Sequence, residues 1–449
     1  MLGEKATIEI IDLNYLGKGV GKIDNFIVFV DGAIEGDIIE TEITEKKKNF
    51  AIGKLLKIIK PSVNRIVPPC EYYSDCGGCQ LMHMNYKAQL QYKKNRVISE
   101  LKRAAVNIDH VLIKDTIGMK QPFNYRNKTT FSVSSKNGEI IIGPYEEGSY
   151  NTVDINSCLL QSHEADKVVS LFKELMEKYE IKTYDKKTGK GTIRNIVIRR
   201  NKENQLMLII VTTTEKFSNR ENLVNDLKDN IKEIKSIVQN INKRETNLVM
   251  GHKNITLYGP GTIEDSIGGL KFSISPETFF QVNPEQTEIL YQTAINYANL
   301  KKNDICFDIY CGIGTISLMA AQYAKKVYGV EIVEQSIINA KENAVINNIN
   351  NAEFYAGKAE EILPKLYKRN ITADVVIVDP PRKGCEKKVI DTINNMQAER
   401  VVYVSCNPST LARDIKLLER GGYKLTKVQP IDQFPWTVHT ECICKLERQ

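Results

Sequence analysis

Ile305-Cys306-Phe307-Asp308-Ile309-Tyr310-Cys311-Gly312-Ile313-Gly314-Thr315 decides the fold. Ile305 to Asp308 is an apolar strand ending on a carboxylate, and Gly312-x-Gly314 then opens a helix. Glycine lets a backbone approach a ligand without a Cβ clash. The next strand, Lys326 to Glu331, closes on a second acid, placed where a carboxylate can bond both hydroxyls of a ribose. A dinucleotide fingerprint wants a third glycine at position 317, and that position is Ser317. NAD is therefore disfavoured. A ligand with a ribose but no pyrophosphate fits better, and S-adenosylmethionine is one.

Outward from this turn, helix and strand alternate from about residue 285. Pro284 to Asn299 reads as a helix; Ala373 to Asp379 and Arg400 to Val404 read as strands. This order calls for an α/β, Rossmann-like, mostly parallel sheet with helices on both faces. Ligands then bind beyond the carboxyl ends of the strands. Glu331, Asp379 and Cys406 all fall at such ends. Asp379-Pro380-Pro381-Arg382 sets a carboxylate, a stiff turn and a cation near one edge. Cys406, in Ser405-Cys406-Asn407-Pro408, is either a buried structural thiol or a nucleophile, whose reactive form is the thiolate. Glu441 lies close to the last apolar strand, as a proton-transfer group or a satisfied surface acid.

Toward the N-terminus, Ala6 to Ile10, Phe26 to Val30 and Asp37 to Ile43 alternate with period two between glycines. They suggest a small barrel of the oligonucleotide-binding type over residues 1–62. Cys70-x5-Cys76-x2-Cys79 follows and reads as a metal or cluster site. Asn85 to Ala105 looks helical and basic. A mixed α+β central region extends to 270, and 271–449 is the Rossmann-like domain. The chain has 449 residues, too many for one typical core. Its ten cysteines are not disulfide density, and its charge of +7 permits an acidic partner without establishing one. No apolar stretch approaches the roughly 18 residues of a membrane span. The first residues lack a signal-peptide core, so a cytoplasmic location is expected.

Phe279-Phe280-Gln281-Val282-Asn283, Asp308 to Thr315, Asp379-Pro380-Pro381-Arg382-Lys383-Gly384, Ser405-Cys406-Asn407-Pro408 and His439-x-Glu441 resemble, in order and spacing, the motifs of the RNA uracil-C5 methyltransferases. The likeness covers nearly the whole chain, because the barrel resembles a TRAM domain. The closing segment departs from the family at Trp436 and Thr440. The resemblance implies that Cys406 is the nucleophile and Glu441 the base that removes the C5 proton. It implies that Gln281, Tyr310, Glu331 and Asp379 contact S-adenosylmethionine. It also implies that Cys70, Cys76, Cys79 and Cys158 hold a [4Fe–4S] cluster, where spacing alone leaves zinc open.

The implied product is 5-methyluridine in RNA, with the barrel and central domain binding RNA. The barrel-plus-cluster architecture points to 23S ribosomal RNA, with transfer RNA as the alternative, and a monomer is expected. Two other classes compete: a non-catalytic RNA-binding protein, and an iron–sulfur redox enzyme, which the missing third glycine disfavours.

Overall fold

The computed structural model describes residues 2–186, 188–244 and 248–449. β1 (Lys5–Glu9), β2 (Asp12–Leu13), β3 (Gly19–Ile23), β4 (Phe26–Val30), β5 (Ile38–Lys46) and β6 (Phe50–Lys60) form the first sheet, in the order β1-β5-β6-β4-β3-β2. Alternation puts Ile8, Val28, Val30, Ile39 and Ile43 on its closed side.

α1 (Tyr86–Arg103) and β7 (Leu112–Ile113) come next. Asn85 caps α1, its side chain accepting the Ala88 amide at 2.9 Å. Helix and strand both lie within the 63–270 stretch read as central, yet they join the C-terminal layer. Val97, Leu101 and Val106 pack with Leu411, Ile415 and Leu418, and β7 extends the C-terminal sheet. Each such side chain, fully buried, contributes about 1.5–3 kcal/mol. The sequence marked α1 as a basic helix but could not say which layer it would cover.

β8 (Lys128–Lys136), β9 (Glu139–Gly143), β10 (Ile193–Arg200), β11 (Leu206–Thr212), β12 (Ile234–Ile241) and β13 (Lys253–Tyr258) make the central sheet, ordered β13-β12-β11-β10-β8-β9. α2 (His163–Lys178) and α3 (Arg220–Asn230) cover one face. Ile196, Ile198, Leu208 and Ile210 face those helices, while Val197, Met207, Ile209 and Val211 face the catalytic layer. Burial on both faces explains the continuous apolar run of β11, Leu206 to Val211. α3 stops at Asn230, and Ile234 begins the next strand. A hairpin, β14 (Ile263–Ile267) and β15 (Leu270–Ile274), bridges to the last layer.

α4 (Pro284–Ala298), β16 (Ile305–Ile309), α5 (Thr315–Ala321), β17 (Lys326–Glu331), α6 (Glu334–Ile346), β18 (Ala352–Ala356), α7 (Ala359–Lys368), β19 (Val375–Val378), α8 (Lys387–Met396), β20 (Arg400–Ser405), α9 (Pro408–Arg420), β21 (Tyr423–Ile431) and β22 (Glu441–Arg448) complete the chain. The eight-stranded sheet runs β18-β17-β16-β19-β20-β22-β21-β7. This is the α/β architecture expected from the turn at 305–315. From β16 the chain builds outward to β17 and β18, then crosses back to β19. The switch opens a crevice between the ends of β16 and β19. β22 is antiparallel to β20. Its first residue therefore lies at the edge where the parallel strands end. Among the described residues, no helix is long and apolar enough to cross a membrane.

Candidate active site

The crevice is built from strand ends. Asp308 is fully buried, and Ser317 Oγ donates to its Oδ2 at 2.5 Å. Its Oδ1 has no partner. Burial pushes this carboxyl up to about 7, against the Ser317 hydrogen bond. The chain then turns through Tyr310, whose φ of +70° is unusual for a side chain of its size. Such strain persists only where the surroundings enforce it, and it clusters at functional turns. Gly314 has φ +82°, and a Cβ there would lie 3.1 Å from the Phe354 ring, so glycine is required. At Gly312 a Cβ would meet nothing within 4 Å, which leaves the backbone open toward the crevice.

Glu331 ends β17 beside this turn. Its carboxylate accepts from the amides of Gly312 at 3.3 Å and Val333 at 2.9 Å, which fixes its direction. Across the switch, Asp379 follows β19, and its amide donates to the Ile309 carbonyl. Burial pushes the Asp379 carboxyl up to about 7 as well. Two carboxyls held partly protonated around one crevice, one with an orphaned oxygen, favour a cationic ligand.

Gln281 arrives from the other side. Asn127 Nδ2 donates to its carbonyl at 3.0 Å, and its side chain reaches Tyr291, near Thr315. Asn283 then caps α4 with Pro284 in the first turn, so the Phe279–Asn283 motif is a helix start tied to the central domain. Gln281, Tyr310, Glu331 and Asp379 thus surround one crevice. Asp308 and Tyr291 belong with them, although the sequence reading gave neither a part in ligand contact. Asp308 was legible as the acid ending β16; Tyr291 carried no signal, lying inside a helix.

Cys406 occupies the two-residue connection, Cys406-Asn407, between β20 and α9. Asn407 caps α9, accepting the Ser409 amide at 3.2 Å, and Pro408 opens the helix. Asn407 Nδ2 also donates to the Arg382 carbonyl at 2.9 Å, tying the thiol to the Asp379-Pro380-Pro381-Arg382 turn. Ser405 pairs with Cys442 across β20 and β22, so Glu441 stands opposite Cys406. Glu441 is 3% exposed, and among the described residues no side-chain hydrogen bond holds its carboxyl. Burial pushes the Cys406 thiol up to about 12, Glu441 and Asp379 add to the rise, and Arg382 opposes it. Burial also pushes Glu441 well above the usual range, with Asp379 adding and Arg382 again opposing. Arg382 approaches His439 Nε2 at 3.3 Å, and burial lowers that imidazole to about 4.

The cysteines gather about Trp436. Cys70, Cys79 and Cys158 border the cluster of Met82, Met119, Tyr125, Leu160 and Trp436. Burial raises the Cys79 thiol, and Cys158, Cys76 and Cys70 add to it through charge. The Gly78 amide donates to Cys76 Sγ at 3.3 Å, and the amides of Leu160 and Gln161 face Cys158. Among the described residues, no group of three or more His, Cys, Asp or Glu is gathered tightly enough for a metal ion. The four thiols are therefore neighbours but not drawn together around a point.

The tRNA (uracil-5-)-methyltransferase family matches residues 85–449, and the TRAM domain matches residues 1–56. An uncharacterized RNA methyltransferase of Clostridium tetani is 48% identical over 95% of this chain and 93% of its own. One from Clostridium acetobutylicum is 47% identical over 98% and 96%. The crystal structure of Pyrococcus abyssi tRNA (uracil-54, C5)-methyltransferase in complex with S-adenosyl-L-homocysteine superposes with a TM-score of 0.79. It is 26% identical, and the match covers 98% of this chain and 100% of that one. A strand-switch crevice suited to a cationic ribose ligand, a thiol and an acid at one edge, and these likenesses agree: the chain belongs to the S-adenosylmethionine-dependent RNA uracil-5-methyltransferase family and carries a TRAM domain.

Proposed function

We propose that this enzyme methylates C5 of a uridine in RNA through a covalent adduct on Cys406, with Glu441 as the base. The observation that carries this reading is the facing pair of Cys406 and Glu441 beside Asp379 and Arg382. Gln281, Tyr310, Glu331 and Asp379 would hold S-adenosylmethionine. When bound, it supplies the methyl group and a positive charge beside three crowded acids.

Uracil C5 is a poor nucleophile. The Cys406 thiolate bonds to C6, the C5=C6 π bond opens, and its electron pair moves toward O4 and C5. C5 can then take a methyl group. Glu441 next removes the C5 proton, the C–H pair reforms C5=C6, and the C6–Sγ bond breaks to return the thiolate. The target base has to leave its stack to reach the thiol. Arg382 is the cation that favours both ionised groups. Arg382→Met is therefore expected to slow adduct formation at neutral pH by about tenfold, the scale of one charge interaction of roughly 1.4 kcal/mol. The pH–rate profile should move in the alkaline direction. A profile unchanged in position would remove Arg382 from this role.

The substrate we put forward is 23S ribosomal RNA, on the barrel-plus-cysteine architecture. The likeness to a solved transfer RNA enzyme along the whole chain favours transfer RNA as the second reading. Transfer of label from S-adenosylmethionine to each unmodified RNA in parallel separates them. Label in neither, from a folded protein that binds the cofactor, would favour the non-catalytic RNA-binding reading.

Cys70, Cys76, Cys79 and Cys158 would hold a [4Fe–4S] cluster. A single tetrahedral ion would draw its four sulfurs to about 3.8 Å from one another, given metal–sulfur bonds of about 2.3 Å. Thiols near enough to influence one another through charge, with the Gly78 amide aimed at Cys76 Sγ, support the cluster reading. Methyl transfer by this route is redox-neutral, so the cluster would crosslink the 70–79 loop to residue 158. Anaerobically prepared protein is expected to contain iron and acid-labile sulfide, and Cys79→Ser to lose both and melt several degrees lower. A Cys79→Ser protein that melts normally and methylates RNA at full rate would end the structural role.

A further inference from the structure

Between β21 and β22 the chain runs from Asp432 to Thr440 without regular structure. A buried segment of this kind needs partners for its backbone from elsewhere. α1 supplies several. Lys93, wholly buried, pairs with the Asp432 carboxylate and donates to the Phe434 carbonyl at 3.0 Å. Arg96 donates to the Val438 carbonyl at 2.5 Å. Tyr86 OH donates to Asp432 Oδ2 at 2.7 Å, and Gln89 Oε1 accepts the Trp436 amide at 3.2 Å. Positions 86, 89, 93 and 96 recur at three- and four-residue steps, so one face of α1 makes every contact.

The opposite side is held too. The amides of Gln80 and Leu81, just past Cys79, both donate to the Trp436 carbonyl. The Trp436 ring stacks on Phe123 at 4.9 Å and meets Tyr86 at 5.6 Å. Trp436 has φ +70°, a conformation a bulky residue keeps only under such restraint. Yet among the described residues nothing hydrogen-bonds the Glu441 carboxyl itself. Downstream of it the β22 ladder fixes the backbone; upstream, this strap does.

We propose that Lys93 and Arg96 are positioning residues for Glu441: by gripping the 432–440 strap from α1, they set the carboxyl opposite Cys406. The inference rests on the role given above to Glu441. It makes a prediction specific to that step. Thiolate addition and methylation need no base, so a displaced Glu441 leaves the methylated adduct waiting for loss of its C5 proton.

The test uses Arg96→Met, which removes one donor from a half-buried side chain, and the pair Lys93→Met with Asp432→Asn, which strands no buried charge. Full-length protein is given RNA substrate and methyl-labelled S-adenosylmethionine, then denatured in SDS. Both variants are expected to release 5-methyluridine about 10- to 100-fold more slowly. They should accumulate several times more label as an SDS-stable protein–RNA adduct, at an unchanged KM for the cofactor. Arg96→Lys, which restores a donor, should recover much of the wild-type partition. Adduct and product falling together, or a wild-type partition in both variants, would overturn the inference. Failure of the functional reading is distinct: the wild-type protein would then form neither adduct nor 5-methyluridine on any RNA, and the inference would fall with it.

Discussion

Cys406→Ala is expected to abolish methyl transfer, lowering turnover by about 10⁴-fold or more, as removal of an essential nucleophile does. No other thiol can take its place. Cys442 and Cys444 are buried within β22, Cys385 sits beneath α9, and Cys311 is buried in the turn at 310–314. Cofactor binding should survive, because the residues proposed to hold it, Gln281, Tyr310, Glu331 and Asp379, lie on other segments. Stability should change little, since Cys406 is only half-buried and its connection is fixed by the Asn407 cap. The measurement is single-turnover transfer of label, with S-adenosylmethionine binding followed separately by calorimetry. Retention of more than a few per cent of the wild-type rate would exclude covalent catalysis through this residue.

Glu441→Gln should have the second largest effect, with turnover reduced by about 10³-fold, within the range for a lost general base. Its signature differs from that of Cys406→Ala. Adduct formation and methylation should persist, and labelled protein–RNA adduct should accumulate. The wild-type release step should accelerate with rising pH as Glu441 ionises, whereas the glutamine variant should show no such dependence.

A stability consequence follows from the same burial. The folded state holds the Glu441 proton to a higher pH than the unfolded chain does. Folding therefore loses stability as pH rises above the ordinary glutamate value of about 4.3, until the buried group itself ionises. Glutamine carries no such penalty. Glu441→Gln should be more stable than wild type near neutral pH, with the difference shrinking toward pH 4. Equal melting temperatures across that range would contradict the buried neutral acid. A buried acid that costs stability is the usual exchange at an active site, in keeping with the role proposed for Glu441.

The local features of this site were legible because short-range chemistry sets them. Gly312 and Gly314 announced a turn with positive φ at both, where a Cβ at Gly314 would crowd the Phe354 ring. Asp308, Glu331 and Asp379 each ended an apolar run, and a parallel sheet puts such ends on one edge. Ser405-Cys406-Asn407-Pro408 marked a strand stop, a cap and a helix start, which isolates the thiol in the connection. The TRAM barrel was visible in its period-two alternation. The cysteine spacing suggested a thiolate site, yet among the described residues no group of three or more His, Cys, Asp or Glu is close enough to hold a metal ion.

What the sequence could not disclose was where distant segments meet. β22 is apolar whichever way it runs; only its antiparallel insertion between β20 and β21 brings Glu441 opposite Cys406. α1 reads as a basic helix, and the packing of Val97 and Leu101 on α9 assigns it to the catalytic layer. Lys93 looks like one more solvated base in a basic helix, and burial against Asp432, 339 residues away, makes it a structural cation. Trp436 read only as a departure from the family, yet its ring and carbonyl join the cysteine loop to the strap ahead of the base. Period, turn chemistry and capping act over a few residues, so the sequence by itself determined the strands, the cofactor turn and the thiol. Register and burial between segments hundreds of residues apart are settled only when the layers pack, so the tertiary structure alone decided which acid faces that thiol and what holds it there.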